Sequence, residues 1–360
     1  MISVPAQVDC SQLVAWLNKH ELAALAQRHL DKQNPAAAQL MPIYWAHTSA
    51  SIMKLALLES LLAALAEANI KCVLLKGIAF CLTIYPDPAV RPMSDLDLWI
   101  QRRDWPRTWQ IMQQLGYMPD KLWDNPRTIP EHITIVEFYP RQAMQEDFLS
   151  VEIHSDLIGH PTHLIGRFPL ADWWQRAVTK VWHTHTIHLL DPAAALLHTA
   201  VHQMYQHRGK LRLRWLLDLD QLVRGQPDYH LTAADWQRVI AEASLAGVLP
   251  ALQSALQLCQ TWFNTPLPEL ALDLLNHPSD PQQQAFFEQV AVPQRSSAGK
   301  VWVDLKGMST ARARFIHLRQ KLLPSPNYMR ERYQIPSPLL LPFYYLMRWG
   351  KAIYIIWQHK

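Results

Sequence analysis

Cysteine is scarce in this chain of 360 residues: Cys10, Cys72, Cys81 and Cys259 stand far apart, with no CxxC pair among them. That spacing argues against a zinc site or a disulfide framework and predicts free thiols in a reducing compartment. Runs of Lys and Arg are also missing and the formal charge is only +4, so the chain lacks the electrostatic footprint of a nonspecific duplex binder. The N-terminus has neither the basic start nor the apolar core of a secretory signal, and a cytoplasmic protein is expected. No transmembrane segment is expected either: the tail Pro338 to Trp357, rich in Leu, Phe, Tyr, Ile and Trp, is interrupted by Pro342, Arg348, Gly350 and Lys351, leaving too short a run to span a bilayer. Packing against the rest of the protein is the expectation for this tail. A weak peripheral membrane contact, with Arg348 and Lys351 at headgroup level, is the alternative. Fixed-period repeats and low-complexity tracts are absent.

What is present is a chain that is 49% apolar, long enough for two ordinary domains with sizeable cores. Residues 1–50 read as an N-terminal helical segment, with Leu13, Val14, Leu17, Leu22, Leu25 and Leu30 forming an apolar stripe. Residues 51–190 read as an α/β core. Ser51 to Asn69 is a helix by its leucine spacing, and Lys71 to Leu75 is a strand ending in the turn Lys76-Gly77. A short helix from Ile78 and a proline-rich loop lead to a strand at Asp95 to Ile100, and Arg103 to Leu115 is an amphipathic helix stopped by Gly116. Strands follow at Ile133 to Tyr139 and Phe148 to His154, then a hairpin within Val178 to Leu190. Residues 191–360 read as a helical C-terminal domain, its first helix opened by Asp191-Pro192 and running to about His207. The fold class is α+β, a mixed sheet with flanking helices plus a helical C-terminal domain.

The chemistry concentrates between Val73 and Ile100. Asp95 and Asp97, at i and i+2 on a strand, share one face. Neighbouring carboxylates repel each other and gain nothing from an apolar core, so a divalent cation is their usual compensation. Asp95 and Asp97 therefore read as a Mg²⁺-binding pair. Gly77, at a turn opening a helix, lets an anionic group approach backbone N–H groups. Lys76 and Arg91 are candidate phosphate clamps.

The arrangement Lys76-Gly77, Arg91, Ser94-Asp95-x-Asp97 resembles the minimal nucleotidyltransferase superfamily, DNA polymerase beta-like, and within it an uncharacterised bacterial nucleotidyltransferase family. The resemblance covers residues 70 to 160 and continues loosely through His198 to Asp218. It implies a third acid from a neighbouring strand, matched by Glu152 in Val151-Glu-Ile-His154. It further implies two Mg²⁺ ions held by Asp95, Asp97 and Glu152, with Lys76, Gly77, Arg91 and Ser94 on the nucleotide. The donor would be a nucleoside triphosphate or sugar nucleotide. The acceptor would be a hydroxyl or phosphate of a small molecule or peptide, as in a biosynthetic tailoring enzyme. A toxin-like enzyme acting on tRNA and a noncatalytic nucleotide-binding module are the alternatives on the same fold. In-line attack on the α-phosphorus depends on positioning and electrostatics; metal ions would lower the pKa of the acceptor hydroxyl and Glu152 could accept its proton. One departure is Ile78, which stands where the superfamily usually has serine and removes one phosphate-binding hydroxyl.

Other constellations have plainer readings. His198 and His202, at i and i+4 on a helix, could reach one metal, but no acid completes an HExxH motif and a structural role is expected. His183 and His185 are expected on one strand face and His188 on the other. Arg214 is placed either in an i,i+4 ion pair with Asp218 or, together with Arg212 and Trp215, on the nucleotide. The fifteen tryptophans suit core packing, an acceptor groove or an interfacial contact.

Overall fold

The computed structural model describes residues 8–358 except 86, 120–124, 127–128, 130–132, 142–148, 160–161, 208–211, 278, 292–303, 306–307, 309–310, 325, 327–328 and 331–332, and side chains as far as residue 350 except those of 313, 316, 320 and 321. Three helices open it. In α1 (Cys10–Lys19) the Asp9 carboxylate accepts from the Gln12 N–H, and α2 (Ala23–His29) follows after one turn. α3 (Pro35–Glu67) begins where the Asn34 side chain accepts from the Ala36 N–H and Pro35 fills the first turn, the two strongest start signals a helix has. It therefore starts well before Ser51 and crosses residue 50. Its first half packs through Ala36, Ala37 and Leu40 on the N-terminal helices, and its second half lays Leu58, Leu61, Leu62 and Leu65 on the sheet. By length and composition α3 is long and apolar enough to cross a membrane, and a third of its most apolar window is buried inside the protein.

The sheet has seven strands: β1 (Val73–Leu75), β2 (Asp95–Trp99), β3 (Tyr117–Pro119), β4 (Ile135–Pro140), β5 (Ser150–His154), β6 (Val178–Trp182) and β7 (His185–Leu189). Their spatial order is β3-β4-β5-β2-β1-β7-β6. β2 runs parallel to β5 and antiparallel to β1, while β1 runs parallel to β7. Phe148, the expected start of β5, lies outside the described residues, and β3 was not expected. β6 and β7 form the expected hairpin, but His183 sits in its turn at φ 51°, so it shares no strand face with His185.

The strand alternation assigns the two faces. Leu74, Leu96, Leu98, Val136, Phe138, Val151 and Ile153 pack with α3 and with α5 (Trp105–Gln114), which follows the short α4 (Lys76–Cys81). Val73, Leu75 and Trp99 face the opposite way, into a larger core. That core is built by α6 (Leu170–Gln175), α7 (Pro192–Val201), α8 (Leu213–Arg224), α9 (Ala233–Ala246), α10 (Leu249–Phe263), α11 (Glu269–Asn276) and α12 (Pro281–Val290). Beyond it come α13 (Ala311–Leu322) and α14 (Leu341–Gln358). The helix expected to reach His207 leaves α-geometry at Val201 and continues as a π-helical turn, His202–Gln206, an irregularity that recurs at functional sites.

Candidate active site

Asp97, Glu152 and His154 meet on the sheet face that carries the larger core. The parallel register sets Asp97 directly beside Glu152 and Trp99 beside His154, and the i, i+2 spacing on β5 turns Glu152 and His154 to the same side. The His154 Nε2 lies 3.0 Å from Asp97 Oδ1 and 3.3 Å from Glu152 Oε2. With carboxylates on both sides, Nε2 is the nitrogen that carries the proton. One ligand atom from each of Asp97, Glu152 and His154 falls within 4.8 Å of the others.

Lys76 enters the same group from the end of β1. Its backbone takes φ 48°, the left-handed region, which turns the side chain back over the sheet. The ammonium donates to Asp97 Oδ1 at 2.6 Å and stands 3.6 Å from Glu152 Oε2. Asp97, expected as a metal ligand, is 2% exposed and ion-paired with Lys76. Burial pushes the Glu152 carboxyl up, but Lys76 and His154 prevail and hold it at about 2. Asp95 shifts the other way, raised by burial and by Asp97. It accepts from the Ser94 hydroxyl at 2.9 Å, and its carboxylate is outside the converging group of ligand atoms.

A cavity of about 490 Å³ opens over these groups, within the range of small-molecule sites. Lys76, Gly77, Arg91, Ser94, Asp95, Asp97 and Glu152 line its sheet side. Gly77 is needed for close approach, since a Cβ there would stand 2.5 Å from Arg91 Nη1. The structure gives Arg91 a partner of its own: Nη2 and Nε donate to Asp218 at 2.6 and 3.1 Å, and Tyr85 donates to the same carboxylate at 2.8 Å. The expected Arg214–Asp218 ion pair is therefore replaced by Arg91–Asp218. Arg214 instead donates to the Pro92 carbonyl at 2.7 Å and lies 3.1 Å from Glu21.

The opposite wall comes from α8 and the π-helical turn: His202, Gln203, Gln206, His207, Arg212, Arg214 and Trp215. Trp215 stacks on His207 with centroids 3.9 Å apart, and the Arg212 guanidinium lies 5.0 Å from its ring. Burial and the neighbouring Arg91 pull Arg214 down to about 10, so it stays charged at neutral pH in a place where an anion would relieve it. Two buried polar atoms of the lining, Gln203 Oε1 and Thr134 Oγ1, have no hydrogen-bond partner. His198 and His202 are neutral structural groups. Burial lowers both, His198 to about 3, and His198 Nε2 lies 3.2 Å from the Leu157 carbonyl.

Lys76, Asp97 and Glu152 are thus together as the sequence suggested, with Ser94, Asp95, Gly77 and Arg214 on the same cavity. His154 was missed as a ligand, although Glu152-x-His154 on a strand carries the same spacing signal as Asp95-x-Asp97. Thr134, Gln203 and Gln206 gave no signal.

Two carboxylates and an imidazole are a donor set that fits one divalent ion, Mg²⁺ through the oxygens or Mn²⁺ through all three once His154 Nε2 gives up its proton. Among the described residues this is the one such group, where two ions were expected.

Comparison with known proteins places this geometry. The sequence profile of a family described as an uncharacterised nucleotidyltransferase matches residues 6–264. No curated protein matches the chain. Among solved structures, an antigenic nucleotidyltransferase-like protein from Paracoccidioides brasiliensis is similar at 20% identity, covering 59% of this chain and 98% of its own, with a TM-score of 0.34. A proposed nucleotidyltransferase from H. pylori is 14% identical over 66% of this chain and 96% of its own, with a TM-score of 0.31. Superpositions that loose carry no argument about chemistry.

Proposed function

We propose that this chain, which belongs to the uncharacterised nucleotidyltransferase family, transfers a nucleoside monophosphate from a nucleotide donor to a hydroxyl or phosphate of a small molecule or peptide, with a divalent cation. The observation that carries the reading is the convergence of Lys76, Asp97 and Glu152, backed by the buried His154, at one cavity whose far wall is cationic and aromatic. A triphosphate needs cations around its oxygens and a base needs a flat, polar-edged surface. The cavity supplies Lys76, Arg212 and Arg214 for the first, and the Trp215–His207 pair with the unpartnered Gln203 amide for the second.

Asp97, Glu152 and His154 would hold the ion. When bound, it neutralises phosphate charge and lowers the pKa of the attacking hydroxyl. The protein's own groups do the rest. The Lys76 ammonium, on a flexible four-carbon stem, moves from the carboxylates to the donor phosphates and stabilises the charge that builds there. With Lys76 against it, Glu152 is held at about 2 and is a poor proton acceptor, and a divalent ion in the ammonium's place would keep it so. Asp95, raised by burial and by Asp97, is the second candidate to accept the hydroxyl proton. Arg214 steadies the far end of the phosphates.

Isothermal titration with the four common nucleoside triphosphates and a sugar nucleotide, with and without Mg²⁺, tests this. Metal-dependent binding that Asp97→Ala abolishes is expected. Absence of nucleotide binding by a folded protein would refute the reading.

A further inference from the structure

The last part of the chain has a charge opposite to the rest. Residues 292–360 contain twelve Lys and Arg against two acids, Asp304 and Glu331, a charge of +10, whereas the whole chain carries +4. Residues 1–291 are therefore net acidic, and the near-balanced total hides a basic end. This region also lies beyond the family match, which stops at residue 264.

The same region exposes large apolar side chains in an ordered pattern. On α13, Phe315, Leu318 and Leu322 stand at i, i+3 and i+7 and are all exposed, Phe315 at 68%, so they form one stripe. Exposed Arg312 and Arg319 belong to the same helix. On α14, Tyr345 donates to the Pro324 carbonyl at 2.5 Å and Trp349 donates to the Leu322 carbonyl at 2.7 Å. These two bonds tie one side of α14 to the end of α13. Phe343 and Leu346 are left 62% exposed, with Leu339 at 89% just before them.

We propose that α13 and α14 form a docking surface for an anionic lipid bilayer. An interfacial helix needs apolar side chains that enter the acyl boundary, basic groups at headgroup level and aromatic rings between. The two helices and the segment between them supply all three: Phe315, Leu318, Leu322, Phe343 and Leu346 for the first, Arg312 and Arg319 on α13 with Arg330 between the helices for the second, Tyr345 and Trp349 for the third. Nucleic acid would match the charge but leave the apolar stripe unused. A second copy of this surface would bring +10 against +10.

The test is co-sedimentation of the full chain with phosphatidylcholine vesicles, with and without phosphatidylserine. Binding is expected with phosphatidylserine, and it should weaken at about 1 M salt, where the screening length falls to about 3 Å. Phe315→Glu and Phe343→Glu, both at exposed positions, should each weaken it by about tenfold or more with unchanged circular dichroism and thermal midpoint. Equal binding to both vesicle types, no binding to either, loss of vesicle binding to competing tRNA, or a concentration-dependent dimer that masks the surface would each overturn the proposal.

Discussion

Lys76→Met should turn a weak cation site into a strong one. In the wild type the ammonium already stands between the carboxylates, 2.6 Å from Asp97 and 3.6 Å from Glu152. At an effective dielectric constant of about 20 those separations correspond to gross attractions of about 6 and about 5 kcal/mol. Desolvation of the three groups cancels much of this, and removing one partner of a buried pair costs about 3–5 kcal/mol. Metal-free Lys76→Met should be destabilised by about that amount, because Asp97 and Glu152 then face each other with only His154 between. A divalent ion no longer has to displace the ammonium, and about 3 kcal/mol corresponds to roughly a hundredfold in affinity. Mn²⁺ titrations, with free ion read by electron paramagnetic resonance, should show that difference between variant and wild type. Saturating metal should restore about 2.7 kcal/mol at a hundred times the dissociation constant, visible as a rise in the thermal midpoint of the variant alone. A non-hydrolysable triphosphate should tighten Mn²⁺ binding to the wild type, since phosphates give Lys76 another partner, and should do so far less in the variant. Equal Mn²⁺ affinity for both proteins would refute the reasoning, whereas no Mn²⁺ binding to either would refute the metal site itself.

Other perturbations test separate parts of the argument. Asp218→Asn keeps the shape but leaves Arg91 buried without its counter-charge, so urea unfolding should show a loss of about 3–5 kcal/mol; a loss below about 1 kcal/mol would show that Arg91 finds other partners. Gly77→Ala sets a methyl 2.5 Å from Arg91 Nη1 and 3.1 Å from Met93 Cγ, and should cost about 1–3 kcal/mol, together with weaker nucleotide binding by titration. His198 is held neutral at about 3 by burial, while in the unfolded chain it protonates near 6.5. The unfolded state therefore binds the extra proton between these values: stability is full above about pH 6.5 and falls as pH drops toward 3, by up to about 1.4 kcal/mol per pH unit. His198→Gln should flatten the difference in unfolding free energy between about pH 7 and about pH 5 by about one proton's worth; an unchanged slope would count against a buried neutral imidazole.

Much was legible in the sequence because it rests on local rules. Two-residue alternation identified β2 and β5, the Asp191-Pro192 signal placed the start of α7, and Gly116 at φ 82° ends the segment begun by α5. The same alternation put Asp95 and Asp97 on one strand face, and the family resemblance added Glu152, which the parallel register of β2 and β5 sets beside Asp97. Leucine spacing began this helix at Ser51, whereas α3 runs unbroken from Pro35 because it packs on both the N-terminal helices and the sheet.

Partner choice was different in kind. That Asp97 pairs with Lys76, and Asp218 with Arg91 rather than with Arg214 one turn away, depends on the register of β2 against β1 and β5 and on how α8 meets Tyr85 and Arg91. Helical spacing makes the Arg214–Asp218 pair available, but a buried carboxylate goes to the donors that reach it after packing. Sequence alone therefore determined which residue types stand on which face of which element, since those periods are set by backbone geometry. Only the tertiary structure decided which charges meet, because ion pairs in a low-dielectric interior are selected by ångström distances between elements far apart in the chain.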